Sequence, residues 1–404
     1  MRRREFLALV GAASGASAIL GAAAAAQPTA PECGPEACST VRVRLFGPAL
    51  ARLEVSCVSG LTITDGSQAY SGDAAAFDSA APDAATIDGR TQQLAGPLLF
   101  VKAAAPIAVA AFSAAGLIAQ RSYAGWLNLA FGAGGISAVN VVDIESYVAA
   151  TLASEVSPSW NFESLKAQAI VSRTYVASAR SRSSKRDFDV TDGTSSQVYH
   201  GADNVSAAFV SAAAATAGHA IFDGPKIAQV FYSAACGGHT AAVVELTGRD
   251  GPAYLDGIVD ADVAGHAYCA RATYFQWKNL IPSDAMARLV GIAPAQLSDV
   301  AVAERWPDGR VKTIAVSPVG GDAIPMDGHA FYRMAAASLG YKVLPSTLFD
   351  VRRNGNAFEV NGRGLGHGVG MCQWGARGRA DAGASGPDIV RAYFPGTNVR
   401  SLPA

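Results

Sequence analysis

Residues 147–180 read YVAATLASEVSPSWNFESLKAQAIVSRTYVASAR, and this stretch decides the class of the fold. Tyr147, Val148, Thr151, Leu152 and Glu155 fall at helical spacing in an element that begins at Ile144. Pro158 ends it, because a proline disfavours helical geometry in the residue before it. Asn161 suits the cap of a second helix, with Glu163 near the positive end of its dipole. Leu165, Ala169, Ser172, Val176 and Ala179 then form a buried stripe, and the helix runs to Arg180.

Upstream of this pair the pattern is different. Val41–Leu45, Leu53–Ile63, Leu98–Ile118 and Trp126–Val142 alternate or cluster β-branched residues and read as strands. Residues 65–95, rich in Asp, Ser, Gly and Ala, are expected to be loop-rich with short strands. Downstream, 187–202 is turn-rich, Val205–Gly218 reads as an Ala-rich helix and Ala228–Ser233 as a strand. Ile281–Val290 carries helix signals, and Val311–Val316 and Phe358–Val360 read as strands. His329–Leu339 and Pro387–Tyr393 read as helices. Helices and strands occur in separate blocks, so the expected class is α+β, with two lobes and a substrate cleft between them. The expected division is a signal peptide at 1–26, a β-rich region at 27–140 and a second region at 141–402.

The 404 residues carry 32 Lys plus Arg against 33 Asp plus Glu, and 50% are hydrophobic. That excludes a disordered chain. With no basic excess to neutralise phosphates, it also excludes a general nucleic-acid binder. After the first 30 residues no apolar run reaches the ~18 residues needed for a membrane span. The first 26 residues have Arg2, Arg3 and Arg4, an apolar stretch from Leu7, and Ala24-Ala25-Ala26 before Gln27. They read as an export signal of the twin-arginine type, which carries folded proteins and places the mature chain in the periplasm or at the cell wall. An oxidising compartment permits disulfides, but the pairing of Cys33, Cys38 and Cys57 is not legible.

Three segments carry chemistry. Glu155 sits in the last turn of a helix, whose negative pole disfavours a carboxylate; the apolar Val156 and Trp160 disfavour it further. Both effects raise its pKa, as a general acid near neutral pH requires. In the run 362–375, GRGLGHGVGMCQWG, glycines alternate, and in extended chain they share one face that another backbone or a sugar can approach closely. The spacing fits neither a dinucleotide fingerprint nor a Walker loop. Finally, Cys236-Gly-Gly-His239 and His266-Ala-Tyr-Cys269 offer two thiolates and two imidazoles, a tetrahedral inventory for a structural zinc. A Cys236–Cys269 disulfide and free buried thiols are the alternatives.

Together these segments resemble the SpoIID/LytB family of peptidoglycan-acting proteins. The matching text is VVDIESYVAATLASEVSPSWNFESLKAQAIVSRTYV, DGTSSQVYHGAD, YSAACGGHTA, GPAYLDGIVD and GRGLGHGVGMCQWGARG with YFPGT. The resemblance implies a lytic transglycosylase that cuts glycan strands already stripped of stem peptides. The family's catalytic Glu falls on Glu155. Its Lys-Ala-Gln-Ala…Arg-Thr-Tyr helix falls on Lys166, Gln168, Arg173 and Tyr175. These four, with His200, His367, Gln373 and Trp374, are expected to contact substrate, and Trp160 and Trp374 either stack on sugar faces or serve as core aromatics. Some family members carry zinc near the segment that falls on Cys236 and His239. Val156, Leu365 and Cys372 depart from the family's usual Met, aromatic and Ser.

Hydrolytic glycosidases need two carboxylates, and Glu163, Asp189 and Asp192 are weak candidates for the second. A lytic transglycosylase needs one, because the substrate's own C6 hydroxyl attacks the anomeric carbon. The rival reading is a non-catalytic glycan-binding protein that stimulates a cell-wall amidase. A zinc amidase would need an open metal position, which four protein ligands deny.

Overall fold

A computed structural model describes residues 39–182 and 187–403. The expected signal peptide, Cys33 and Cys38 lie outside them. Among the described residues ten strands precede the first helix: β1 (Thr40–Leu50), β2 (Arg52–Thr64), β3 (Ala69–Asp78), β4 (Ala84–Ile87), β5 (Arg90–Gln93), β6 (Leu98–Lys102), β7 (Ile107–Ser113), β8 (Gly116–Tyr123), β9 (Trp126–Gly132) and β10 (Gly135–Asp143). With β11 (Val190–Thr191) they form one sheet in the order β11-β1-β10-β9-β6-β2-β3-β4-β5, from which β7 and β8 branch at β2. Alternate residues of β1 and β2, such as Val41, Val43, Leu53 and Val55, point into the core; β10 is buried on both faces from Ala138 to Val142. Residues 65–95 are more regular than their composition suggests. Asp65 and Asp88 carboxylates accept backbone N–H bonds from Ser67, Gln68, Asp73 and Ala74, holding the tight turns that let β3, β4 and β5 pair.

The chain leaves β10 straight into α1 (Ile144–Glu155), capped by Asp143, whose Oδ1 accepts from the N–H groups of Glu145 and Ser146 at 2.9 and 3.0 Å. α2 (Phe162–Arg182) starts where expected: Asn161 Oδ1 accepts from Glu163 N at 3.0 Å. Its burial is wider than one stripe, because it packs against α1, α3 (Ala207–Ala215) and the elements that follow. Arg173 lies at its centre with no exposed surface. It pairs with Glu145 and donates to the carbonyls of His219 at 3.0 Å and Ala213 at 3.1 Å.

β12 (His219–Asp223), β13 (Lys226–Ile227), β14 (Tyr232–Ser233) and the short helix α4 (Val243–Thr247) follow. Ala228–Ser233, expected to be strand throughout, is strand only at its end. Residues 277–362 then make an excursion with its own apolar core around Ile281, Phe331, Phe349 and Phe358. It contains β15 (Trp277–Pro282), α5 (Ser283–Leu289), β16 (Leu297–Arg305), β17 (Val311–Pro318), β18 (Ile324–Asp327), α6 (Gly328–Leu339), β19 (Phe349–Asn354) and β20 (Ala357–Gly362). It opens and closes on register partners, Trp277 opposite Gly362. β21 (Met371–Cys372), α7 (Gln373–Asp381), α8 (Gly386–Tyr393) and β22 (Asn398–Ser401) complete the chain. The class is α+β, as expected. Residues 39–404 cluster as one contact unit, so the expected split into two lobes is not seen. No described helix is long and apolar enough to cross a membrane.

The glycine run 362–370 is not the extended strand expected. Gly364, Gly366, Gly368 and Gly370 all have positive φ, so the chain coils past its neighbours instead of alternating faces. The close approach is real, however. A Cβ on Gly370 would lie 2.1 Å from the Phe231 carbonyl oxygen, and one on Gly368 would lie 2.2 Å from Arg310 Nη2. The Gly370→Ala variant is therefore expected to lose about 3 kcal/mol, from the left-handed backbone and the overlap together. Urea unfolding measures this, and a loss below about 1 kcal/mol would show that the segment gives way easily.

Candidate active site

Four segments converge on Glu155. The first is the end of α1, where Val156 turns extended and stops the helix with Glu155 as its last residue. The second is the turn-rich stretch before Tyr199, which brings Val198 N–H to Glu155 Oε1 at 3.1 Å. The third is β14, whose Tyr232 hydroxyl donates to the same oxygen at 2.9 Å. β14 pairs in parallel with β21, Tyr232 opposite Met371 and Ser233 opposite Cys372. That register delivers the fourth segment, the first turn of α7, whose Gln373 Nε2 lies 3.5 Å from Glu155 Oε2.

The two carboxylate oxygens are thus unequal. Oε1 takes two good hydrogen bonds. Oε2 takes only a long one and is the better seat for a proton. Burial pushes the Glu155 carboxyl above its ordinary range; the bonds from Tyr232, Val198 and Gln373 oppose that shift without cancelling it. Behind Tyr232 the network continues inward: its hydroxyl accepts from Gln197 Nε2 at 3.2 Å, and Tyr147 donates to Gln197 Oε1 at 3.1 Å. Tyr147 and Gln197 are buried, so the acid rests on a fixed polar chain.

Glu155 faces a cavity of about 460 Å³, lined also by Tyr175, Ser195, Phe231, Tyr232, His367 and Gln373. Among the described residues lining it, Glu155 is the sole carboxylate. The three other acids considered are engaged elsewhere: Glu163 with Lys166, Asp189 with Arg42, and Asp192 with Arg121. His367 Nδ1 accepts from Val369 N–H at 3.0 Å, and desolvation pulls its pKa down to about 4, so it is a neutral imidazole.

Of the residues expected at the site, the structure brings Glu155, Tyr175, His367 and Gln373 to the cavity. Lys166, Gln168, Arg173, His200 and Trp374 do not line it. Arg173 is a buried partner of Glu145 and the α2 neighbourhood, with no surface to offer a sugar. Gln168 is likewise buried and donates to Ser172. Lys166 pairs with Glu163 at 2.7 Å, and His200 is exposed. Trp374 packs on Trp160, ring centroids 5.1 Å apart, with the Arg377 guanidinium over both. Tyr232 and Gln197 were not legible as site residues; the position of Tyr232 on a short strand just before Cys-Gly-Gly was the available signal.

The cysteine segment also assembles differently from its spacing. Cys236 and Cys269 do meet, their sulfurs 3.7 Å apart. Their companions are Asp260 and Cys372, and all four ligand atoms lie within 4.8 Å of one another in a fully buried cluster that could hold a metal ion. His239 and His266 are not part of it. The His239 ring bonds the Thr240 carbonyl at 2.7 Å, and His266 is exposed beside Asp262. Three thiols and a carboxylate are a donor set suited to tetrahedral zinc.

A family model described as the stage II sporulation protein, SpoIID, matches residues 132–222. The chain is 30% identical over 266 residues to an uncharacterized protein of Brachyspira hyodysenteriae, covering 65% of this chain and 67% of that one. It is 28% identical over 283 residues to stage II sporulation protein D of Bacillus amyloliquefaciens, covering 65% and 75%. With the amidase enhancer of Bacillus subtilis it shares 25% identity over 285 residues, 61% of this chain but only 39% of that protein. On these matches, and on the segments that build the cavity around Glu155, the chain belongs to the SpoIID/LytB family.

Proposed function

We propose that the protein is an exported lytic transglycosylase that cleaves the MurNAc–GlcNAc bond of denuded peptidoglycan strands and leaves 1,6-anhydroMurNAc ends. Family membership supports a role at the cell wall. The observation that carries the chemistry is a single, desolvated carboxyl in a cavity with no second carboxylate among its described lining residues. Glu155 Oε2 gives its proton to the bridging oxygen as the glycosidic bond breaks. The C6 hydroxyl of the same MurNAc then attacks the anomeric carbon and returns a proton to Glu155. Bond made and bond broken balance, no water is consumed, and the acid is regenerated. Tyr232 and Val198 hold Oε1 throughout, so Oε2 stays aimed at the cavity. A zinc ion, where bound, is structural in this reading and supplies no step.

The likeness to an amidase enhancer favours a second reading, in which the protein grips the glycan and stimulates a partner amidase. Mass spectrometry of denuded glycan after incubation separates the two. Anhydro-ended fragments are the expected product; strands that are bound but remain intact would sink the enzyme and leave the binding module.

A further inference from the structure

We propose that Cys236, Asp260, Cys269 and Cys372 are the four ligands of a closed zinc site, with His239 and His266 outside it. This deepens the reading of the cluster as a metal centre and does not depend on the reading of the cavity around Glu155.

The geometry comes first. Metal–sulfur bonds of ~2.3 Å in a tetrahedron place two sulfurs about 3.8 Å apart. Cys236 and Cys269 stand at 3.7 Å, and Cys236 Sγ lies 3.3 Å from Asp260 Oδ2. The surroundings come second. Asp260 Oδ1 accepts from the Tyr393 hydroxyl at 2.8 Å and from Arg379 Nε at 3.1 Å, which leaves Oδ2 turned to the sulfurs. A ligating carboxylate is usually held by outer-shell hydrogen bonds of this kind. The sulfurs accept N–H bonds as thiolates do: Cys372 from Cys236 and Gly375, both at 3.2 Å, and Cys236 from Gly238 at 3.4 Å. Three thiolates and a carboxylate around a divalent ion leave two negative charges inside the protein, and the Arg379 guanidinium offsets one of them.

The four ligands come from four separate stretches: the Cys-Gly-Gly turn, the loop at Asp260, the turn at Cys269, and the residue that caps α7. Cys372 directly precedes Gln373, and Cys236 follows β14 by three residues. A bound ion therefore ties together the two segments that carry Gln373 and Tyr232 to Glu155. It completes a closed structural site, with no place left for water or substrate.

The test is made on full-length protein purified under reducing conditions. Elemental analysis is expected to give about one zinc per chain, and zinc K-edge absorption to show three sulfurs and one oxygen with no imidazole scattering. The His266→Ala variant is expected to keep its zinc and its melting temperature. The Cys372→Ser variant is expected to lose the metal and to melt lower. A two-sulfur, two-nitrogen shell, or zinc lost on removing His266, would restore the histidine set and overturn this one. Absence of zinc, or a Cys236–Cys269 disulfide in the peptide map, would overturn the metal centre altogether. The absorption measurement on unaltered protein decides the ligand set even if the Cys372 variant fails to fold.

Discussion

Replacing Glu155 by Gln is expected to lower the rate of anhydro-end formation on denuded glycan by about 10²–10⁴-fold, the share of a general acid. The melting temperature should hold, because the Gln oxygen still accepts from Tyr232 and Val198 and the volume is unchanged. The pH profile supplies a second reading of the same group. A general acid works only while protonated, so the rate should fall as pH rises through the Glu155 pKa, which burial sets above the ordinary carboxyl range. The Tyr232 hydroxyl stabilises the ionised form. In Tyr232→Phe that falling limb should move to higher pH, a displacement that mere loosening of the site would not produce. Full activity in the Gln variant would remove Glu155 from the chemistry.

A stability loss as large as that at Gly370 is expected at Glu145. Its carboxylate pairs with Arg173, which has no exposed surface, and also accepts from Gly218 N–H at 3.0 Å. Glu145→Gln leaves a buried guanidinium with neutral partners only. Removing one member of such a pair costs about 3 kcal/mol, because the remaining charge stays desolvated. The urea midpoint should fall with the slope unchanged. Glycan cleavage below the melt should persist, since neither residue lines the cavity. A stability loss under about 1 kcal/mol would mean that the carbonyls of Ala213 and His219 suffice to hold Arg173.

The α1–α2 pair was legible because its signals are local: a cap at Asn161, a stop at Pro158 and an apolar period between them. The place of Glu155 at a helix end was legible for the same reason, while its candidacy as the acid came from the resemblance. What was not legible depends on partners distant in sequence. Arg173 reads as a binding cation until Glu145 is found 28 residues away. The metal inventory read from two short half-sites omitted Asp260, 24 residues from Cys236, and Cys372, 136 residues from it. The glycine run hid its conformation, because alternation in sequence looks the same whether the backbone extends or coils. Short strands were expected within 65–95, but the bounds of β3 to β5 were not legible, because aspartate side chains, not propensity, hold their turns.

The path of the chain limits how the 277–362 excursion communicates with the candidate site. The excursion from Trp277 to Gly362 departs and returns through a single doorway, side by side in one ladder. Beyond that doorway it touches the site side through the turn at 345–348 and through Arg310, which reaches the carbonyls of Cys236 and His239 at 2.8 and 3.1 Å. A change inside the excursion's own core reaches the cysteine segment and the glycine run through these contacts.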